Sequence, residues 1–185
     1  MKKIFAIAVV LAFTSLCFGQ AKDAPKTVGS VLDSGVKGVE GEFVPAAEAM
    51  PENKYDFAPT NGEFKGVRTF AQQVKHVAAV NYMLGAAILQ EKPPMELGGE
   101  NGPDNIKSKA DVVKFLKDSY AYAHKAVGTI TPENCVAEVP SPFGRGKSTR
   151  MGLAILITAH SFDHYGQIVE YLRMNGIVPP ASRGQ

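Results

Sequence analysis

Apolar residues recur every three or four positions in four separate segments of the chain. This spacing places them on one face of an α-helix and leaves the opposite face polar. No long segment alternates apolar and polar residues with a period of two, as a half-buried strand would. The pattern predicts an all-α protein, a four-helix bundle with helices over about 28–50, 69–90, 108–127 and 148–175.

Individual residues support the ends and faces of these helices. Pro51 predicts the end of the first helix, and Ser148 is a suitable N-cap for the fourth. Gly176, followed by two prolines, predicts the end of the fourth helix. In the second helix, Lys75 and Ala79 lie away from the apolar stripe, so we expect both side chains on the solvent side.

Three linkers join the helices and are rich in proline, glycine or asparagine. They are long for a helix bundle, and long irregular connections in a compact domain are often functional. They could fold over one end of the bundle and form the walls of a pocket. The linkers cover about 51–68, 91–107 and 128–147.

Two histidines of the fourth helix, His160 and His164, are four residues apart. In a helix this spacing puts both on one face, with Cβ atoms about 5–6 Å apart, which suits two ligands of one metal ion. His76, at the edge of the second helix's apolar stripe, can supply a third ligand. Three imidazoles leave one coordination position open, as in catalytic zinc sites. The zinc-protease pattern is excluded because Ser161 stands where it requires glutamate.

Other side chains near the two histidines have weaker claims to a role. Gln167 and Tyr171 share their helix face and could either hydrogen-bond an imidazole or pack at the core edge. Asp163 lies about 60° around the helix from His160, which places it at the rim of the site. His124 is expected on the surface of the third helix. A closed site completed by His124 or Asp163 would indicate a structural ion instead.

The first nineteen residues have the layout of a secretory signal peptide. Lys2 and Lys3 precede an apolar run that ends near Gly19 and is too short for a comfortable membrane anchor. A lipoprotein signal centred on Cys17 is disfavoured because bulky Leu16 stands where a small residue is needed. We expect an exported protein with a signal peptide at 1–19, a flexible segment at 20–27, a helical bundle at 28–180 and a disordered tail at 181–185.

The charge of the mature chain bears on its partners. Loss of residues 1–19 removes two lysines and no acidic residue, so 20 basic residues become 18 against 18 acidic residues, a formal net charge of zero. This balance speaks against a nucleic-acid partner. After cleavage no segment is apolar and long enough for a membrane helix, and Cys135 is left without a disulfide partner. A homodimer formed through exposed helix faces is compatible with the pattern.

Two stretches resemble the DinB-like metal-binding four-helix bundles. The segment His160-Ser-Phe-Asp-His164-Tyr-Gly-Gln resembles the last helix of that family. Residues 50–60, beginning Met-Pro-Glu-Asn, and residues 70–76, ending in His76, are similar to its entry into helix two. The family includes thiol-dependent transferases and the metal domain of mycothiol-dependent maleylpyruvate isomerase. The resemblance covers roughly residues 28–180.

The resemblance implies a divalent ion, commonly nickel or zinc, held by His76, His160 and His164. It also implies an up-down-down-up topology in which helices two and three run parallel and 91–107 is the long crossover. Low-molecular-weight thiols such as bacillithiol and mycothiol are mainly cytosolic, so the predicted export weakens a thiol-transfer function.

Two functional hypotheses follow. In the first, the protein is a metal-dependent transferase or hydrolase, in which a metal-activated thiol or water attacks a small-molecule substrate. In the second, it is a non-catalytic metal-binding or structural helical module that acts through a protein partner.

Overall fold

The computed structural model describes residues 25–99, 101–144 and 146–184. The predicted signal peptide at 1–19 and most of the segment 20–27 lie outside these residues. Four α-helices dominate the described part of the chain, which confirms the all-α four-helix bundle. Their bounds are α1 Val28–Ala49, α2 Phe70–Leu89, α3 Lys109–Gly128 and α4 Arg150–Met174.

A hydroxyl side chain begins each of these helices. Thr27, Thr69, Ser108 and Thr149 occupy the N-cap positions, and each accepts a hydrogen bond from a backbone N–H of the first turn. Such caps satisfy one of the donors that a helix N-terminus leaves unpaired. Helix α4 therefore begins one residue later than the sequence predicted, because Thr149 and not Ser148 provides the cap.

Contacts between residue pairs give the arrangement of the helices. Helix α1 packs against α3 and α4, and α2 packs against the same two helices. Asn81 of α2 meets Ser119 of α3, and further along, Gly85 meets Tyr122. From the first pair to the second, the residue number increases along both helices, so α2 and α3 run in the same direction.

Contacting residue pairs also give the relative directions of α1 and α4 and of α2 and α4. Gly35 lies against Thr158, and Phe43 against Tyr165, so α1 and α4 run in the same direction. His76 lies against His160, whereas the carbonyl of Ile88 accepts a hydrogen bond from Arg150, so α2 and α4 are antiparallel. The connection 90–108 joins two parallel helices and must return along a bundle about 30 Å long.

The hydrophobic core lies between the four helices. Side chains from all four contribute, and the large ones are fully buried. Each such side chain gains about 1.5–3 kcal/mol from removal of its surface from water. The largest include Phe43, Met50, Phe70, Leu84, Ile88, Leu116, Tyr120, Leu153, Ile157 and Ile168.

A short β-hairpin interrupts the linker before α4, although the sequence predicted no strand. Strand β1, Glu138–Pro140, pairs antiparallel with β2, Lys147–Thr149. Only Val139 of β1 is buried, between two exposed neighbours. Three-residue strands carry too few alternating positions to produce a period-two pattern, so the hairpin left no signal in the sequence.

The long crossover covers the side of α2 that we expected to face solvent. Lys75 and Ala79 are only 8% and 4% exposed, so their predicted exposure was wrong. The Lys75 ammonium donates a hydrogen bond of 2.9 Å to the carbonyl of Pro103. Gly102 fits here because its φ is +74° and an added Cβ would lie 2.7 Å from the Cβ of Lys75. The crossover is thus packed tightly on α2.

The end of the chain was expected to be a disordered tail from residue 181. The described residues instead include a 3-10 helix, Pro180–Ser182, which contacts α1. Among the described residues, no helix combines the length and apolar character needed to cross a membrane.

Candidate metal centre

The structure brings together the three histidines that the sequence singled out. His76 extends from α2, and His160 and His164 extend from α4. Each offers a ring nitrogen, and the three nitrogens lie within 4.8 Å of one another. The Nε2 atoms of His76 and His160 are 3.1 Å apart. The cluster could therefore hold a metal ion.

Helix geometry explains how the three side chains meet. One turn of α4 separates His160 from His164, so their rings lie edge to face on one side of the helix, with centroids 4.5 Å apart and an angle of 65° between the ring planes. The antiparallel packing of α2 places the His76 ring 5.0 Å from the first ring and 4.7 Å from the second. His164 is the most enclosed, with 6% of its surface exposed, whereas the other two are half-buried.

Burial keeps two of these imidazoles neutral. It lowers the pKa of His164 to about 3, and the nearby rings of His160 and His76 lower it further in the same direction. Burial, followed by the proximity of His76, lowers the pKa of His160 to about 4. Both rings therefore keep a free lone pair at neutral pH, which a metal ligand requires.

A chain of amides orients His164. Its Nδ1–H donates a hydrogen bond of 2.7 Å to Oε1 of Gln73. The Nε2 amide of Gln73 donates in turn to Gln167 at 2.7 Å, and Gln167 donates to Asp163 at 3.2 Å. Because the carbonyl oxygen of Gln73 can only accept, the proton of neutral His164 resides on Nδ1, and the lone pair of Nε2 is free.

Gln73 is the residue in contact with the histidine cluster that the sequence analysis missed. Its signal was its position three residues before His76, on the same face of α2. For Gln167 the sequence left open a hydrogen bond to an imidazole or packing at the core edge, and the structure connects it to His164 only through Gln73. Tyr171 donates to the carbonyl of Arg68 at 3.0 Å instead of to a histidine.

The donor set suits a divalent ion. Neutral imidazole is a good ligand for zinc, nickel, cobalt and copper. The close approach of two imidazole nitrogens gathers electron-rich atoms at one point, which a cation would stabilise. His160 Nδ1 is buried and has no hydrogen-bond partner among the described residues, so no side chain fixes its tautomer as Gln73 fixes that of His164.

A cavity of about 370 Å³ borders the cluster at His76. Its floor is α2, and its other walls come from two linkers, which contribute Leu97 to Gly99 and Pro142 with Phe143. The linkers thus form pocket walls, as their length suggested. A cavity of this size falls in the range of small-molecule sites.

The two candidates for a fourth protein ligand lie outside the cluster. Asp163 is exposed and accepts the hydrogen bond from Gln167. His124 is bound elsewhere, between α1 and α3, so it does not complete a closed site. Among the described residues, the group of metal-ligating side chains contains the three histidines and neither of these residues.

His124 is partly buried, so its predicted surface position was wrong. Its ring donates to Asp33 at 2.5 Å and to Glu40 at 2.9 Å, and Lys37 also pairs with Asp33. Burial alone would lower the pKa of His124, but the hydrogen bonds and charges of the two carboxylates raise it above its ordinary value of 6.5. The ring is thus held as an imidazolium.

We expect this ion-pair group to make stability depend on pH. Because the folded state holds the proton of His124 more tightly than the unfolded state, its contribution is complete below about pH 6.5 and is lost as pH rises through the raised pKa. His124→Gln should lose about 2 kcal/mol of unfolding free energy near pH 6. The difference in unfolding free energy between the variant and wild type, measured by urea unfolding, should shrink as the pH is raised toward about 9.

The matched control is Lys114→Ala, which removes an exposed ion pair with Asp118 on the same helix. It should change stability by less than about 0.5 kcal/mol at either pH. A difference in unfolding free energy between His124→Gln and wild type that stays constant from about pH 6 to about pH 9 would contradict the positive charge assigned to His124.

Comparison with known proteins places this fold in a family. A family model of the DinB superfamily matches residues 37–168. A DinB-like protein from Bacillus cereus superposes with a TM-score of 0.63 at 14% identity, covering 83% of this chain and 96% of that one. A DinB-like protein from Bacillus subtilis gives a TM-score of 0.57 at 19% identity, with coverages of 79% and 92%. No curated protein sequence matches the chain. Because the family model spans more than half of the sequence, the chain belongs to the DinB superfamily.

Proposed function

We propose that His76, His160 and His164 hold a divalent metal ion, zinc or nickel, and that the protein is a metal-dependent transferase or hydrolase for a small molecule. The observation that carries this proposal is the convergence of three imidazoles beside a cavity. Catalytic sites commonly use three protein ligands and leave one position for substrate, whereas structural zinc sites use four.

The chain's own residues have defined tasks in this proposal. When bound, a divalent ion supplies a Lewis acid that lowers the pKa of a thiol or of water. Gln73 holds the His164 ring in one orientation through its hydrogen bond to Nδ1. Leu97, Pro142 and Phe143 provide apolar walls beside His76, and apolar surroundings strengthen electrostatic interactions in the site.

The nucleophile depends on where the protein acts. We infer from the first nineteen residues that the protein is exported. Export would separate it from the mainly cytosolic thiols used by the transferases it resembles. Both a thiol and water therefore remain in the proposal as the attacking group.

The alternative is a non-catalytic metal-binding module that acts through a protein partner. One observation favours it: Ile155 and Phe162 of α4 are 53% and 41% exposed. They are seven residues apart and share a helix face, as the contact residues of a helix interface do.

Cobalt substitution distinguishes the two functions. We expect the cobalt-loaded protein to change its visible absorption spectrum when a small thiol such as 2-mercaptoethanol is added, because an open coordination position accepts the thiolate. The variant with alanine at all three histidine positions serves as the control and should show neither cobalt binding nor a thiol effect. Tight cobalt binding with a spectrum that thiol and azide leave unchanged would indicate a closed, structural ion.

A further inference from the structure

Helix α2 has a second apolar face besides the one in the core. Ala79, Met83 and Ala87 follow one another at intervals of four residues along this face. An amphipathic surface helix normally presents polar side chains on the side away from the core. Here that side lies under the crossover and the β-hairpin, and the side chains of the described residues leave cavities between them.

Two neighbouring cavities occupy this space. The first, about 370 Å³, begins at His76, and the second, about 460 Å³, extends past Ala87 to Gln90 and Glu91. Met83 and Pro142 line both of them. Along the helix axis, the distance from the histidine to the far end is about 20 Å.

The lining restricts what could occupy this groove. Between its two ends the helix contributes alanine, valine and methionine, so the floor is apolar. Met83 stands at the junction, where its flexible thioether can adapt to a ligand. At the far end, Glu91 accepts a hydrogen bond from Tyr122 and pairs with Lys125, so a negative charge is already present there. An uncharged apolar chain fits these walls better than an anionic one.

We propose that the substrate is an elongated molecule with a metal-binding head group and an uncharged alkyl tail. The head lies at the histidine cluster, and the tail runs along α2 past Met83 into the second cavity. This inference rests on the proposed function for the head group, whereas the groove that receives the tail is independent of it.

A series of n-alkyl hydroxamic acids, from acetohydroxamic to decanohydroxamic acid, tests this proposal on the zinc-loaded protein by calorimetry. Affinity should rise roughly two- to fourfold per methylene until the groove is filled. Met83→Trp should abolish this rise for the longer chains and leave acetohydroxamic acid unaffected. Ala87→Phe narrows the second cavity alone. In this variant, affinity should stop rising at a shorter alkyl chain than in wild type. Met174→Trp, at a position 54% exposed on α4, is the matched control and should behave as wild type.

Primary alcohols of the same chain lengths, measured with the metal-free protein, separate the two proposals. If hydroxamic acids bind only to the zinc-loaded protein, and with the same affinity at every alkyl chain length, the result would overturn the proposed groove and support the metal centre. Hydroxamic acids that bind no better than the alcohols, with affinity still rising with length, would keep the groove and overturn the metal centre.

Discussion

Replacement of both His160 and His164 by alanine should abolish the uptake of a divalent ion. The wild-type protein is expected to bind about one zinc or nickel ion per chain, and the variant should lose affinity by more than about 100-fold. The reason is that the two residues provide two of the three ring nitrogens that converge in the cluster. Elemental analysis of the purified proteins, together with titration of added zinc, measures the effect.

His124→Ala is the matched control for the double variant. It removes another partly buried histidine, but one that contacts Asp33 and Glu40 instead of the cluster. We expect its metal content to equal that of wild type. A wild-type protein that is empty after purification and takes up no added ion would overturn the metal centre. Helical circular dichroism spectra should be the same for all three proteins, because the cluster lies at one site of a bundle with a large core.

Gln73→Leu should weaken metal binding by about 10- to 100-fold without removing a ligand. Leucine is close to glutamine in size but cannot accept the hydrogen bond from Nδ1 of His164. The imidazole would then lose the contact that fixes its tautomer and its ring orientation, and the buried N–H would be unpaired. Competition with a chelator of known zinc affinity measures the change.

The graded control is Gln167→Leu. This variant keeps the bond between His164 and Gln73 but removes the residue that orients the Gln73 amide. Its affinity should lie between those of wild type and Gln73→Leu. Equal affinity of Gln73→Leu and wild type would show that packing alone holds His164 in position.

The helices could be predicted from the sequence because their signals are local. The spacing of apolar residues gave four segments, and the observed helices begin and end within about two residues of those bounds. The same locality placed His160 and His164 on one face of α4, since an interval of four residues has a fixed geometry in any helix. His76 was identified as a third ligand because its own helix had an equally clear stripe.

The errors arose where contacts are distant in sequence. The exposure of Lys75 and of His124 depends on partners that are 28 to 91 positions away, Pro103 in one case and Asp33 in the other. Helical periodicity describes one element at a time and does not show what packs against it. Gln73 was missed for the same reason, because it is part of the site through its hydrogen bond with His164, which is 91 positions further along the chain.

The sequence by itself therefore determined the four helices, to within about two residues at their ends, and the pairing of the two histidines of α4. Only the tertiary structure decided that His76 meets this pair, that Gln73 orients His164, and that two linkers leave an apolar groove on α2. The physical reason is that backbone periodicity follows from short-range geometry, whereas the packing of helices and linkers depends on which apolar surfaces are buried against each other, away from water.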